Sequence, residues 1–163
     1  MDHETSLDAA ITWENLVTAL PMSSEDLPEA MAIERTTIYS PWSEYMFQTE
    51  INQKNLGLIT FRIKGQLVGY FCFWKVLDEA HLLNLSIHVD YRGKGLGTFL
   101  MKYLEQICIN MDISSILLEV AKTNYSAINL YNKCGFVRIG MRNKFYPETG
   151  DDAIVMRKRL KKS

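Results

Sequence analysis

The spacing of apolar positions changes several times along the chain, and each change marks an element. Leu56 to Ile63 and Leu67 to Leu77 are dense in β-branched and aromatic residues and are joined across Lys64-Gly65-Gln66, which predicts a hairpin. Asp78-Glu79 predicts a turn into a third strand, Ala80 to Val89. The period then lengthens: Phe99, Leu100, Tyr103, Leu104, Ile107, Cys108 and Met111 recur at helical spacing. Ser115 to Val120 reads as a short apolar strand. Asn124 is placed to cap a helix whose Ile128, Leu130 and Tyr131 precede Gly135, a helix stop. Two further strands, Phe136 to Phe145 and Ala153 to Leu160, close the chain.

Upstream the pattern is weaker. The first fifteen residues predict a loose extension or a short helix, and Glu14 to Leu20 a first strand ended by Pro21. Ser24 is expected to cap a helix reaching Thr36, with Leu27, Met31 and Ile33 or Glu34 on its apolar face. Tyr39-Ser40-Pro41-Trp42-Ser43 breaks that helix, and Ser43 is expected to cap a second one reaching Gln53. The order β-α-α-β-β-β-α-β-α-β-β predicts one α/β domain over residues 1–163. Its mixed sheet is flanked by helices, with antiparallel hairpins first and a strand–helix–strand crossover later.

Composition narrows the function. At 47% hydrophobic and 23% charged residues the chain has the makeup of a globular domain. A net charge of −1 argues against general nucleic-acid binding, which needs a basic surface, and the basic run Arg157 to Lys162 reads as a solvated tail. Cys72, Cys108 and Cys134 are far apart among apolar residues, as reduced thiols of a cytoplasmic protein would be. No Cys and His pairing has zinc spacing, so no metal is expected. No signal peptide is legible, and no apolar stretch is long enough to span a bilayer.

The candidate chemistry begins at Asp90-Tyr91-Arg92-Gly93-Lys94-Gly95-Leu96-Gly97-Thr98, between a strand and a helix. Unhindered backbone N–H groups at a helix N-terminus suit a pyrophosphate, and Arg92 and Lys94 add positive charge. The spacing is wrong for a Walker loop and for a dinucleotide fingerprint. A glycine-rich turn without a ligand is the plain alternative. Glu119, at the end of an apolar strand, is a candidate general base, and partial burial would suit it to that work. Its plain alternative is a salt-bridge partner at an exposed strand end. Tyr131 is a candidate proton donor or simply a helix residue covering the core. Asn124 caps a helix, contacts a ligand, or does both.

Arg92-x-x-Gly95-x-Gly97 resembles the coenzyme A pyrophosphate loop of GNAT acetyltransferases, and the likeness runs from about Leu16 to Leu160. Leu118-Glu119-Val120, Asn124, Ala127, Leu130-Tyr131 and Gly135-Phe136 are similar to the RimI family of bacterial ribosomal-protein alanine N-acetyltransferases. So are Pro41-Trp42-Ser43, Asp78-Glu79-Ala80, Asn84, Arg142-Asn143, Tyr146-Pro147 and Asp152-Ala153-Ile154.

The resemblance implies Glu119 as base and Tyr131 as acid. It implies acetyl-CoA contacts from Leu85, Ser86 and Ile87, from Arg92 and Gly93-Lys94-Gly95-Leu96-Gly97-Thr98, and from Asn124. The acceptor it implies is the N-terminal amine, of alanine, on a ribosomal-protein tail. No nucleic acid, membrane or metal is implied. Two departures stand out: Ala121-Lys122 follows Glu119-Val120 where the family often has Arg, and Tyr91 precedes Arg92. Glu79 is a second carboxylate within water-bridged reach of an amine. A small-molecule amine as acceptor, or a module that binds coenzyme A without catalysis, are the competing readings.

Overall fold

The computed structural model describes residues 12–161. The extension expected over 1–15 lies mostly outside them; its last residues begin α1 (Trp13–Leu16), and Trp13 packs on the main core. The first strand is shorter than the pattern predicts, β1 (Thr18–Pro21), because Glu14, Asn15 and Leu16 belong to that helix. Ser23, not Ser24, starts the next element. Asp26 Oδ2 accepts its backbone N–H at 2.7 Å, and Ser24 to Asp26 wind into a 3-10 turn that leads into α2 (Leu27–Glu34). Ser43 caps α3 (Glu44–Asn52) as expected, its hydroxyl accepting from Met46 N.

The strands β2 (Leu58–Ile63) and β3 (Gln66–Val76) meet in the expected hairpin, where Lys64 and Gly65 take φ of +49° and +81°. A two-residue hairpin loop demands two left-handed residues, and glycine takes that conformation without strain. The next turn falls one residue early: Leu77, at φ +57°, leaves the strand, and Val76 pairs with Glu79. Then follow β4 (Glu79–Ile87), α4 (Leu96–Asn110), β5 (Ser115–Ala121), α5 (Tyr125–Lys133), β6 (Val137–Tyr146) and β7 (Asp151–Arg159). The sheet order is β1-β2-β3-β4-β5-β7-β6. Among the described strands only β4 and β5 are parallel, and α4 is the crossover that a parallel pair needs.

Each face of the sheet has its own core. On one, Leu96, Leu100 and Leu104 of α4 are fully buried against Phe61, Phe71, Ile116 and Leu118. On the other, Leu27, Ala30 and Ile33 of α2 and Phe47 of α3 cover Leu58, Leu67, Tyr70 and Cys72. These helices are short and hold through packing more than through propensity.

One irregularity sets up the site. The β4–β5 pairing runs from Glu79↔Ser115 to Leu82↔Leu118 and ends there. At that level Cys72 lies opposite Asn84 and Phe73 opposite Leu82, so Leu83 is an extra residue in β4. A bulge bends its strand and adds twist. β4 stays with β3 as far as Ile87, and β5 stays with β7 as far as Ala121. Between them the sheet splits.

Candidate active site

Two cavities, of about 560 and 680 Å³, meet at that split. Leu85 and Ser86 of β4, Asn124, and Ala127 and Leu130 of α5 line both. The two behave as halves of one channel.

The larger half is built on the N-terminus of α4. Gly95 is its N-cap at φ +90°, and Gly93 sits at φ +72°. The first N–H groups of a helix have no intrahelical acceptor, and the dipole is positive there. A Cβ at Gly97 would meet Leu130 at 3.1 Å, so this glycine lets α4 approach α5 closely. Arg92 joins the turn to the segment after α2, with Nε donating to Ile87 O at 2.9 Å and Nη2 to Thr36 Oγ1 at 2.6 Å. Lys133, at the end of α5, adds a second cation, and no carboxylate lines this half among the described residues. Its charge and its unpaired helix N–H groups suit an anion.

Leu85, Ser86, Ile87, Arg92, Gly93, Gly95, Gly97, Thr98 and Asn124 all line this half. Lys94 and Leu96 do not, which corrects the expectation for their side chains. The Lys94 ammonium stands 5.8 Å above the Tyr91 ring, and Leu96 falls on the core stripe of α4, fully buried. Only their backbone N–H groups belong to the helix end. Asn124 has both roles open to it: its Oδ1 accepts from Ala127 N at 3.3 Å, capping α5, and the residue faces both cavities.

The smaller half has the opposite character. Among the described residues its wall carries Glu34, Glu50 and Glu119 and no lysine or arginine, with Trp42, Tyr45, Trp74, Phe145 and Tyr146 as aromatic surface. Glu119 is the first residue of β5 beyond the last β4–β5 pair, and its carboxylate is only 10% exposed. His81 Nε2 lies 2.5 Å from its Oε2, and Arg142 Nη2 lies 3.7 Å from its Oε1. Tyr131 is buried on α5 and lines the same half. Burial pushes its phenol well above the ordinary tyrosine range, so it stays protonated and able to donate. Glu79 points elsewhere. It lies 3.9 Å from Arg157 Nη2 and lines neither cavity.

A basic cradle for an anion and an acidic, aromatic chamber for an amine, joined at a split β4–β5 pair, match an acyltransferase. A sequence profile of the Acetyltransferase (GNAT) family matches residues 27–136. The chain belongs to the GNAT acetyltransferase family. Among its relatives is the ribosomal protein bS18-alanine N-acetyltransferase of Escherichia coli K12, 33% identical over 137 residues that cover 83% of this chain and 92% of that protein. The crystal structure of the E. coli ribosomal-protein-S18-alanine N-acetyltransferase superposes with a TM-score of 0.79 at 30% identity, covering 91% of this chain and 96% of the other. A Thermoplasma acidophilum PaiA N-acetyltransferase, solved with coenzyme A, shares the fold at a TM-score of 0.75 and 22% identity, over 88% of this chain and 99% of that one.

The GNAT site also contains residues that sequence reasoning passed over. Glu34 is 3% exposed and accepts from Tyr70 Oη at 2.7 Å, Asn84 Nδ2 at 2.6 Å and Trp42 N at 3.1 Å. It ties α2 to β3, β4 and the loop before α3. Glu50, 6% exposed, accepts from Trp74 Nε1 at 3.0 Å and Asn55 Nδ2 at 2.8 Å. Glu34 did leave a trace, since it shares the helix stripe of Leu27, Ala30 and Ile33. His81 left none: its neighbour is set by the β4–β5 register.

Proposed function

We propose that this GNAT enzyme transfers acetyl from acetyl-CoA to the α-amine of an N-terminal alanine on a ribosomal-protein tail, by direct attack of the amine on the thioester. The observation that carries this reading is the joining of the two unlike half-channels at Leu85, Ser86 and Asn124. An anionic donor suits one side, a cationic acceptor suits the other, and the thioester falls to the junction. The E. coli relative, named as an alanine N-acetyltransferase of ribosomal protein S18 both for its sequence and for its crystal structure, supports the choice of acceptor. An acceptor on the ribosome implies a cytoplasmic setting.

In this reading the pyrophosphate of coenzyme A takes the backbone N–H groups from Gly93 to Thr98, with Arg92 and Lys133 nearby. Beyond Leu83, β4 offers a strand edge that β5 no longer pairs, and its backbone groups at Leu85 to Ile87 can serve the amides of the pantetheine arm. Glu119 takes the proton that makes the arriving ammonium a nucleophile. Tyr131 protonates the sulfur as the C–S bond breaks.

An α-amine titrates near pH ~8 and a lysine side chain near ~10.4, so deprotonating the first is far easier at neutral pH. The test is intact-mass analysis of peptides incubated with enzyme and acetyl-CoA. A peptide beginning with alanine gains one acetyl group, and the same peptide with its first amine blocked and a free lysine gains none. Acetylation of that lysine at an equal rate, or of small polyamines in preference to any peptide, overturns the acceptor.

A further inference from the structure

Glu119 has two oxygens in unlike surroundings. His81 stands on β4 directly opposite Leu117 of β5, two positions before Glu119 and on the same face of the sheet. Its Nε2 comes within 2.5 Å of Glu119 Oε2. A nitrogen and an oxygen lone pair repel at that distance, so a proton lies between them. The carboxylate is the acceptor, and the ring donates from Nε2. Among the described residues the other oxygen, Oε1, has only Arg142 Nη2 at 3.7 Å, beyond hydrogen-bond reach, on a side chain 60% exposed at the sheet edge. Tyr131 from α5 and Tyr146 from β6 line the same cavity, and the neutral Trp74 of β3 lies opposite His81.

We propose that His81 is a positioning residue for Glu119: its ring N–H holds Oε2 and leaves Oε1 as the oxygen that takes the acceptor's proton. The proposal rests on the reading of Glu119 as base. The last torsion of a glutamate is broad, so an unheld carboxylate presents either oxygen over a wide arc. Held by a neighbouring strand, it presents one oxygen in one direction, and misplacement by about 1 Å can cost a reaction about a hundredfold.

The ammonium gives one proton to Oε1, which later passes it to water. The freed nitrogen forms its bond to the carbonyl carbon, and the C–S bond breaks. Sulfur takes the proton of Tyr131, and the second proton leaving the nitrogen restores the phenol.

The experiment measures turnover and KM for acetyl-CoA in the full chain, with a peptide acceptor, for His81→Ala, His81→Gln and Glu119→Gln. His81→Ala should lower kcat by roughly ten- to a hundredfold with KM for acetyl-CoA unchanged. His81→Gln, which keeps an N–H donor, should regain most of that loss. A purely structural role would move neither the kcat-against-KM split nor the recovery by glutamine. The double variant His81→Ala/Glu119→Gln should be no slower than Glu119→Gln alone, because both act through one carboxylate. A His81→Ala enzyme close to wild type beside a crippled Glu119→Gln overturns the role of His81 and leaves the base in place. A His81→Gln enzyme as slow as His81→Ala also overturns it. A Glu119→Gln enzyme that turns over like wild type instead removes the base on which the proposal rests.

Discussion

The two halves of the channel are made in opposite ways. The half proposed for the donor is centred on one stretch of chain: a strand end, a glycine turn and the first turn of α4, with Arg92 fixing the turn to Ile87 and Thr36 and with α5 closing one side. The acceptor half comes from the whole fold. Glu34 arrives on α2, Glu50 on α3, His81 on β4, Glu119 on β5, Tyr131 on α5 and Tyr146 on β6. A local site is read mainly by backbone groups, so its chemistry is insensitive to most side-chain changes. A dispersed site depends on register and packing, so single side chains carry large effects. The largest effect of a single side chain should therefore come from the acceptor half.

The sharpest break of that comparison is Glu119→Gln. It should lower kcat by about a hundred- to ten-thousandfold, the usual contribution of a positioned base, while coenzyme A affinity by calorimetry stays as in wild type. Glu79→Gln, tested beside it, should behave like wild type, since Glu79 faces Arg157 and neither cavity. A crippled Glu79→Gln with an active Glu119→Gln would move the base to β4. In the donor half the strongest change is to backbone conformation. Gly95→Val forces a branched residue to φ +90°, a strain of about 1–3 kcal/mol. If the turn relaxes instead of the helix melting, coenzyme A should bind roughly ten- to a hundredfold more weakly by calorimetry, with kcat at saturation little changed.

This contrast also explains what the sequence made legible. The glycine turn at the start of α4 is legible almost residue by residue, because Arg92, Gly95, Gly97 and Thr98 are neighbours in the chain and a helix start is a local event. For Lys94 and Leu96 only the side-chain direction differs: Lys94 precedes the N-cap and stands over the Tyr91 ring, and Leu96 begins the buried stripe of α4. The fold order was legible for the same reason, down to Ser43 and Asn124 as caps. In the acceptor half Glu119 and Tyr131 were visible only through their oddity and a family likeness. Glu50 and His81 were not visible at all. Their partners Trp74 and Glu119 lie 24 and 38 positions away and meet them only once the strands are in register. The bulge at Leu83 that opens the channel carries no glycine or proline to announce it.

A smaller effect is expected from Tyr131→Phe. A thiolate is already a good leaving group, so losing its proton donor should lower kcat toward the low end of general acid–base contributions, about a hundredfold or less. The ring is kept, so the fold should survive, with an unchanged melting temperature as the check. In the wild type the buried phenol is held above its ordinary value, so it remains protonated through the neutral and mildly alkaline range. Turnover should therefore hold as pH rises to about 10, the ordinary tyrosine value. An alkaline fall well below that, absent from Tyr131→Phe, would mean that the phenol is wetter than its surroundings imply.

The smallest effect is one on stability, and it too distinguishes the halves. Tyr146 is pushed up to about 12, first by burial and then by the charge of Glu119. In the unfolded chain the same phenol ionises near ~10. Between these values the folded state keeps a proton that the unfolded state has released, so stability falls as pH rises. The contribution is fully present below about pH 10 and is lost on the way to about pH 12. Tyr131, raised by burial, acts with the same sign. Urea midpoints measured from neutral pH to about pH 11 should therefore decline, and Tyr146→Phe should decline less steeply by the share of one titrating group. Thr98→Val, a change confined to the donor half, should shift the whole curve without altering its slope. If Tyr146→Phe and wild type instead run parallel, Tyr146 is not closed in beside Glu119 in solution, and the acceptor chamber is more open than its walls suggest.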